Sequence, residues 1–276
     1  MDETQQSASR RRQILALAAV LVFCHAVGAA ENLVAGAELS VPATNLLATV
    51  AARYAAVTNL SFDVRRQAGD GSSAEMVSRV VFARGGRLNV ETLAPERRRT
   101  VVDGAFAWSK GENEKKPRKV AFEDQSPAQK ASVLCVPASP EETLELLDPA
   151  TGEDRSDPAA PYARQVGFRL IGAKDDAGRR ALVSLDEAGR IRAVDFFADA
   201  DLRWRVASYA WESPVEILPG VWLFRRSTVE TAVNGQPVAI ASRFDKFRVN
   251  QELDPGLFDG DKIFGKPEPS AKKAKR

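Results

Sequence analysis

The side chains that most often perform nucleophilic or metal chemistry are scarce in this sequence. It contains one histidine, His25, and two cysteines, Cys24 and Cys135. His25 and Cys24 lie in an N-terminal segment that we expect to be removed. The remaining chain would hold one thiol and no imidazole, which excludes Ser-His-Asp and Cys-His catalysis, histidine metal sites and disulfide scaffolding. For Cys135 we favour a buried, inert thiol over a reactive one.

Paired carboxylates are the other group with catalytic potential, because two acids can divide general acid and base work in a hydrolysis. Asp199 and Asp201 lie in one turn, and Asp259 and Asp261 lie in a closing loop. We interpret both pairs as solvated turn formers. The run around Gly260 lacks the remaining ligands of a calcium loop, and no glycine-rich phosphate loop joins a strand to a helix. The sequence predicts no enzymatic activity, metal or cofactor.

Residues 1–30 have the layout of a secretory signal peptide. Arg10 to Arg12 form a positive region, Ile14 to Phe23 form an apolar region, and Gly28 to Ala30 supply small residues for cleavage. The apolar run is shorter than the roughly 20 residues that a membrane-spanning helix needs. We favour cleavage after Ala30 over an uncleaved anchor, a lipoprotein signal ending at Cys24 and a twin-arginine signal. The expected location is outside the cytoplasm.

Charge is distributed unevenly along the chain, which has 39 basic and 37 acidic residues in all. Residues 31–261 contain 30 basic and 34 acidic residues. This mildly acidic body lacks the basic footprint of a nucleic-acid binder. Residues 262–276 contain six basic residues, one acidic residue and two prolines. We predict a basic disordered tail there, solvated rather than held on an anionic membrane.

The body begins with one helix and continues almost entirely in strands. Apolar side chains recur at helical spacing at Leu46, Val50, Tyr54 and Val57. From Leu60 onward apolar and polar residues alternate with a period of two, which is typical of half-buried strands. Asp103-Gly104 is a strong signal for a two-residue hairpin turn.

Residues 124–162 interrupt this alternation. Two short helices are predicted, at 127–134 and 140–147, followed by a proline-rich loop up to 162. Strands then resume and end in two long ones joined by a tight turn at Asn234-Gly235. We count about eleven strands, nearly all joined by short turns and therefore antiparallel.

This content predicts one mainly β domain with a few helices (α+β), over residues 31–261. A large antiparallel sheet with few covering helices curls to close or to wrap a cover. A partly closed barrel with helices at its mouth leaves an apolar hollow, which either holds a ligand or is filled by side chains. Both alternatives remain open at this point.

Four segments together resemble a known family. They are Leu47–Phe62 (LLATVAARYAAVTNLSF), Val80–Leu88 (VVFARGGRL), Val102–Trp108 (VDGAFAW) and Val249–Phe258 (VNQELDPGLF). In order and spacing they are similar to the LolA-like periplasmic carriers of outer-membrane lipoproteins, with LolB-type and RseB-type relatives of the same fold. The resemblance spans about residues 42–258.

The resemblance implies a large curled antiparallel sheet that forms an unclosed barrel covered by a helical lid, with a cavity for lipoprotein acyl chains. Arg84 matches the arginine that ties the lid shut in the family until cargo arrives. The proline that follows this arginine in the family is Gly85 here, and Arg87 is a rival for the same role.

The predicted ligand-binding residues combine this arginine with apolar side chains of the strands. They are Arg84, Phe62, Val80, Phe82, Leu88, Val90, Phe106 and Trp108. The alternative for the apolar residues is a filled core, and the alternative for Arg84 is a rim position turned outward by the Gly85-Gly86 bend. Arg84 shares the strand parity of Val80 and Phe82, which favours an inward position.

The predicted function is a periplasmic carrier or chaperone that binds the acyl chains of lipoproteins, or other lipid, and delivers them toward the outer membrane. Its expected partners are these acyl chains and membrane-bound donor and acceptor proteins, with no nucleic acid, and we expect a monomer. The alternative is a periplasmic sensor or protein-interaction module on the same fold. An enzyme with a carboxylate pair is the least favoured of the three.

Overall fold

A computed structural model describes residues 37–68, 74–121, 144, 146–171, 179–233 and 236–265 of the chain. Several predicted features lie outside these residues: the signal peptide, Cys135, the helix at 127–134, the Asn234-Gly235 turn and the tail beyond residue 265. Within the described ranges, no helix is both long enough and apolar enough to cross a membrane.

The first part of the described chain contains one helix and six strands. Short 3-10 turns at Ala37–Leu39 and Ala43–Asn45 precede helix α1 (Leu46–Tyr54). The strands are β1 (Asn59–Ala68), β2 (Met76–Ala83), β3 (Arg87–Ala94), β4 (Arg98–Asp103), β5 (Phe106–Gly111) and β6 (Arg118–Ala121).

The second part adds seven strands and a short closing helix. The strands are β7 (Leu147–Asp154), β8 (Arg164–Leu170), β9 (Arg180–Leu185), β10 (Ile191–Phe197), β11 (Arg205–Leu218), β12 (Val221–Val233) and β13 (Gln236–Val249). A 3-10 turn at Pro255–Phe258 and helix α2 (Gly260–Phe264) follow. Helix α2 crosses the boundary predicted at residue 261.

The thirteen described strands form a single sheet, in the order β6-β5-β4-β3-β2-β1-β13-β12-β11-β10-β9-β8-β7. Every pair of neighbours in it is antiparallel. Two meanders, β1 to β6 and β7 to β13, are therefore joined edge to edge by the pairing of β1 with β13. This unclosed sheet with few helices confirms the predicted mainly β fold, an unclosed barrel with a helical lid.

The register defines two faces of the sheet, because directly opposed residues point to the same side and neighbours along a strand alternate. Leu60 and Phe62 are opposite Phe82 and Val80 respectively. We call the face with these side chains the inner face and its reverse the outer face. Phe62 contacts Phe244 of β13 on the inner face, with ring centroids 5.9 Å apart.

Helix α1 buries its predicted apolar side in the larger of the two hydrophobic clusters. Leu46, Val50, Tyr54 and Val57 are all buried, and they join a cluster with side chains of β8 to β12. Leu60 packs against both this cluster and the smaller cluster around Phe62. The helical spacing in the sequence therefore identified the buried side of α1 correctly.

Two boundaries in the second part differ from prediction. Residues 147–154, expected as the end of a helix and a loop, form the edge strand β7. Pro149 suggested a loop, but an edge strand tolerates proline because one of its sides needs no ladder hydrogen bonds. The alternation of Leu202, Trp204 and Val206 predicts a strand from Leu202 onward. Strand β11 begins instead at Arg205, and Leu202 has a positive φ of 58° in the preceding turn.

The C-terminal segment packs on the outer face of β3 to β5. The Asn89 side chain donates a hydrogen bond to the Leu257 carbonyl, at 2.6 Å. The Trp108 indole packs against Gly260, and its Nε1 donates to Asp261 Oδ1 at 3.3 Å. Lys119 Nζ lies 4.6 Å from the Trp108 ring centre and 3.5 Å from Asp261 Oδ2. The chain end therefore covers Trp108.

Replacing Gly260 by alanine is expected to detach this segment. A Cβ at this position would overlap the Trp108 ring, so the unfolding free energy should fall by about 2 kcal/mol. Denaturant titration followed by tryptophan fluorescence measures it. Gly111→Ala is the matched control, because its Cβ would meet only the side chains of Arg98 and Glu114. Equal stabilities of the two variants would contradict the packing of Gly260 against Trp108.

Candidate functional site

The predicted apolar wall residues divide between the two faces. Along one row of the inner face, Leu60 opposes Phe82, Phe82 opposes Leu88, Leu88 opposes Val102 and Val102 opposes Ala107. Phe62, Val80 and Val90 form the next row of the same face. Trp108 instead opposes Val101, which opposes Asn89. The register therefore places Trp108, and Phe106 with it, on the outer face.

The inner-face residues of β1 to β5 form the smaller hydrophobic cluster. Phe62, Val80 and Leu88 are buried and pack with Val102, Ala107, Val64 and Phe244, while Phe82 and Val90 are half-buried at its margin. This burial agrees with a core and with a cavity wall alike. Contact of these side chains with a ligand stays a prediction.

Arg84 binds the C-terminal end of helix α1. It lies in the turn between β2 and β3, and its guanidinium donates to three carbonyls: Val57 at 2.8 Å, Tyr54 at 3.3 Å and Ala55. The last carbonyls of a helix have no partners within the helix and attract cations. Arg84 is therefore a cap on α1 that extends from the opposite half of the sheet, and its side chain points toward the helix.

Asn250 holds the loop that follows α1, residues 55–58, a role that the sequence did not suggest. Its Oδ1 accepts hydrogen bonds from the backbone N–H of Thr58 at 2.7 Å and from the Thr58 hydroxyl at 2.9 Å. Its Nδ2 donates to the Ala56 carbonyl at 2.9 Å. Asn250 has a positive φ of 52°, a conformation in which asparagine is enriched. The sequence signal that could have indicated this role is an asparagine directly after the long strand β13.

The segment that precedes α1 is held by charged side chains, also missed from the sequence, and one of them, Arg53, belongs to the last turn of α1. Glu38 and Arg53 form an ion pair of 2.5 Å and are 2% and 6% exposed. Burial raises the pKa of Glu38, although Arg53 opposes the shift. Arg164 of β8 donates to the carbonyls of Glu38 and Val41, both at 2.7 Å, and to Asp154 at 2.8 Å.

Helix α1 therefore bridges the two meanders. The segment before the helix is attached to β7 and β8 through Arg164, and the C-terminal end of the helix is attached to the β2–β3 turn through Arg84. Of the Arg164 hydrogen bonds, the one to the Glu38 carbonyl is buried and those to Val41 and Asp154 are partly buried, as are all three of Arg84. Partly buried hydrogen bonds exchange with water at low net cost, so the contacts of Arg84 can be broken and remade, whereas the buried Arg53–Glu38 pair also holds the last turn of α1.

The carboxylates with catalytic potential have structural partners. Asp199 Oδ1 accepts from the backbone N–H of Arg203 at 3.0 Å, and Asp259 Oδ1 caps α2 through the Lys262 N–H at 2.9 Å. In the described part of the chain, no three His, Cys, Asp or Glu side chains are grouped closely enough to hold a metal ion. Asp199 is a turn former, as the sequence indicated, whereas Asp259 caps a short helix that the sequence did not predict.

Comparison with known proteins gives a likeness at the level of the fold. No protein-family model and no curated protein sequence matches this chain. A domain described as an outer membrane lipoprotein-sorting protein, from Vibrio parahaemolyticus, superposes with a TM-score of 0.53 at 10% identity, over 81% of this chain and 98% of that one.

Two other solved structures also superpose. A DUF1329 family protein from Desulfovibrio piger has a TM-score of 0.50 at 10% identity, over 82% of this chain and 97% of that one. A LolA superfamily protein from Nitrosomonas europaea has a TM-score of 0.47 at 13% identity, over 72% and 88%. At these identities the likeness shows a shared fold and no more. The similarity of fold rests on the Vibrio domain, which has the highest TM-score of the three.

Proposed function

We propose that this protein is a periplasmic carrier that binds the acyl chains of lipoproteins, or other lipid, between α1 and the inner face and delivers them toward the outer membrane. The observation that supports it most is the set of Arg84 hydrogen bonds to the end of α1. They tie a short helix to the β2–β3 turn by partly exposed contacts, which cargo can displace.

The energetics suit a carrier. Burial of acyl chain contributes about 0.8 kcal/mol per methylene, so about ten buried methylenes contribute about 8 kcal/mol. Opening of α1 at the Arg84 end subtracts from this gain and makes release feasible. Membrane-bound donor and acceptor proteins would supply and remove the cargo, and the chain itself performs no chemical step.

Phe82→Ala is the direct test of the proposed site. Phe82 is half-buried on the inner face, so loss of its ring should weaken binding of a fluorescent acyl probe about tenfold. Phe106→Ala is the matched control, because Phe106 is a phenylalanine on the outer face, 38% exposed. Its Kd should equal that of the wild type. An equal effect of both substitutions, or none from either, would contradict the site.

A further inference from the structure

A row of polar side chains crosses the inner face at the centre of the sheet. Trp211 of β11 opposes Ser227 of β12, Ser227 opposes Ser242 of β13, and Ser242 opposes Arg66 of β1. These four residues lie on the same face as Phe62, because Arg66 is four residues along β1 from Phe62. We call them the polar row.

Two members of the polar row have unused hydrogen-bonding groups. Trp211 and Ser227 are only 1% and 3% exposed. Neither Trp211 Nε1 nor Ser227 Oγ has a hydrogen-bond partner in the described part of the structure. Other buried serines differ: Ser184 Oγ accepts from Gln165 Nε2 at 3.0 Å, and Ser78 Oγ donates to Thr92 Oγ1 at 3.2 Å. A buried polar group without a partner is costly and calls for an explanation.

Apolar side chains flank the polar row along the strands. Val64 and Phe244 form a pair on β1 and β13, two positions from the polar row. Tyr209 and Val229 form a pair on β11 and β12, also two positions from the row. The Tyr209 and Trp211 rings stack with centroids 6.3 Å apart. The inner face thus has an apolar surface interrupted by an indole N–H and a hydroxyl, which suits a molecule with one polar group beside a hydrocarbon chain.

We infer that Trp211 and Ser227 form a subsite for the carbonyl oxygen of the ester or amide that joins an acyl chain to its headgroup. An indole N–H is only a donor, and a serine hydroxyl can donate as well. A carbonyl oxygen has two lone pairs and can accept from both. The inference rests on the proposed function, and adds to it a preference for acyl esters and amides over plain hydrocarbon chains.

The test compares a monoacylglycerol, which has an ester carbonyl, with its ether analogue of equal chain length. Both displace a fluorescent acyl probe from the full-length protein. The wild type should bind the ester about tenfold more tightly. Trp211→Phe and Ser227→Ala should each reduce this ratio below about threefold, whereas Ser227→Thr, which keeps the hydroxyl, should preserve it. Trp204→Phe is the tryptophan control, since Trp204 is 74% exposed.

The outcomes separate this inference from the proposed function. An equal affinity of the wild type for ester and ether, or an unchanged ratio in Ser227→Ala, overturns the subsite and leaves the carrier intact. Buried water would then satisfy both groups. Failure of both amphiphiles and of the probe to bind overturns the carrier and the subsite together. Should Trp211→Phe not fold, the Ser227 pair of variants decides the question. An ester-linked lipopeptide in the same assay distinguishes lipoprotein from free lipid.

Discussion

Arg84→Leu is expected to lower the Kd for a fluorescent acyl probe by about tenfold and to slow its release. The substitution removes three hydrogen bonds to carbonyls at the end of α1. Hydrogen bonds to charged groups contribute about 1.5–3 kcal/mol in buried settings, and these are partly buried. A closed helix competes with cargo for the inner face, so a less stable closed state leaves a larger binding-competent fraction.

Two further measurements make this result specific to Arg84. Amide hydrogens of α1 should exchange faster in Arg84→Leu than in the wild type, since the helix end has lost its cap. Arg87→Leu is the control, because Arg87 lies three residues away, is exposed and contacts the ring of Phe258 rather than α1. An unchanged Kd in Arg84→Leu, or an equal change in Arg87→Leu, would remove the proposed role of Arg84.

Arg53→Leu is expected to reduce the unfolding free energy by about 4 kcal/mol, twice the loss expected for Gly260→Ala. The substitution leaves the Glu38 carboxylate buried without its partner, and Glu38 Oε2 already has no hydrogen-bond partner among the described residues. Loss of one member of a buried ion pair typically costs about 3–5 kcal/mol, because an uncompensated charge remains. Equilibrium denaturation at pH 7.5 measures the loss.

The double variant Glu38→Leu/Arg53→Leu separates charge from packing. It should recover most of the lost stability, since an apolar pair of similar volume is often neutral or better. The pH dependence has a definite sign. Burial raises the pKa of Glu38 in the folded state, so folding favours the protonated acid and stability falls as the pH rises through that window. The loss of unfolding free energy in Arg53→Leu should therefore become smaller toward acidic pH. A loss independent of pH would contradict its assignment to the buried charge of Glu38.

Local patterns in the sequence were enough to predict α1 and the hairpin at Asp103-Gly104. The buried side of α1 follows from spacing alone, because an amphipathic helix turns its apolar residues to one side. The hairpin follows from turn chemistry: Gly104 has a positive φ of 101°, and Asp103 Oδ1 accepts from the Ala105 and Phe106 N–H groups. The prediction that Arg84 holds a helix came from a family resemblance. Arg84 contacts the C-terminal end of α1, and its part in cargo binding stays a prediction.

The face of Trp108 and the anchor of α1 could not be predicted in this way. The two-residue turn pairs Val102 with Ala107, which places Trp108 on the outer face; a one-residue difference in pairing would reverse this. Glu38 and Arg164 meet across 126 positions of sequence. No periodicity or turn signal reports such a contact, because it exists only after the sheet has assembled.

The proposed function requires apolar cargo in the space between α1 and the inner face. The protein is purified from its native cell envelope and extracted with organic solvent, and mass spectrometry of the extract detects such cargo. The Arg84→Leu variant and a mock purification are treated in the same way for comparison. We expect an acyl-bearing lipid or lipopeptide in the wild-type extract and more of it in the extract of Arg84→Leu. Extracts of both proteins that match the mock purification would show that the space holds no cargo, against the carrier function.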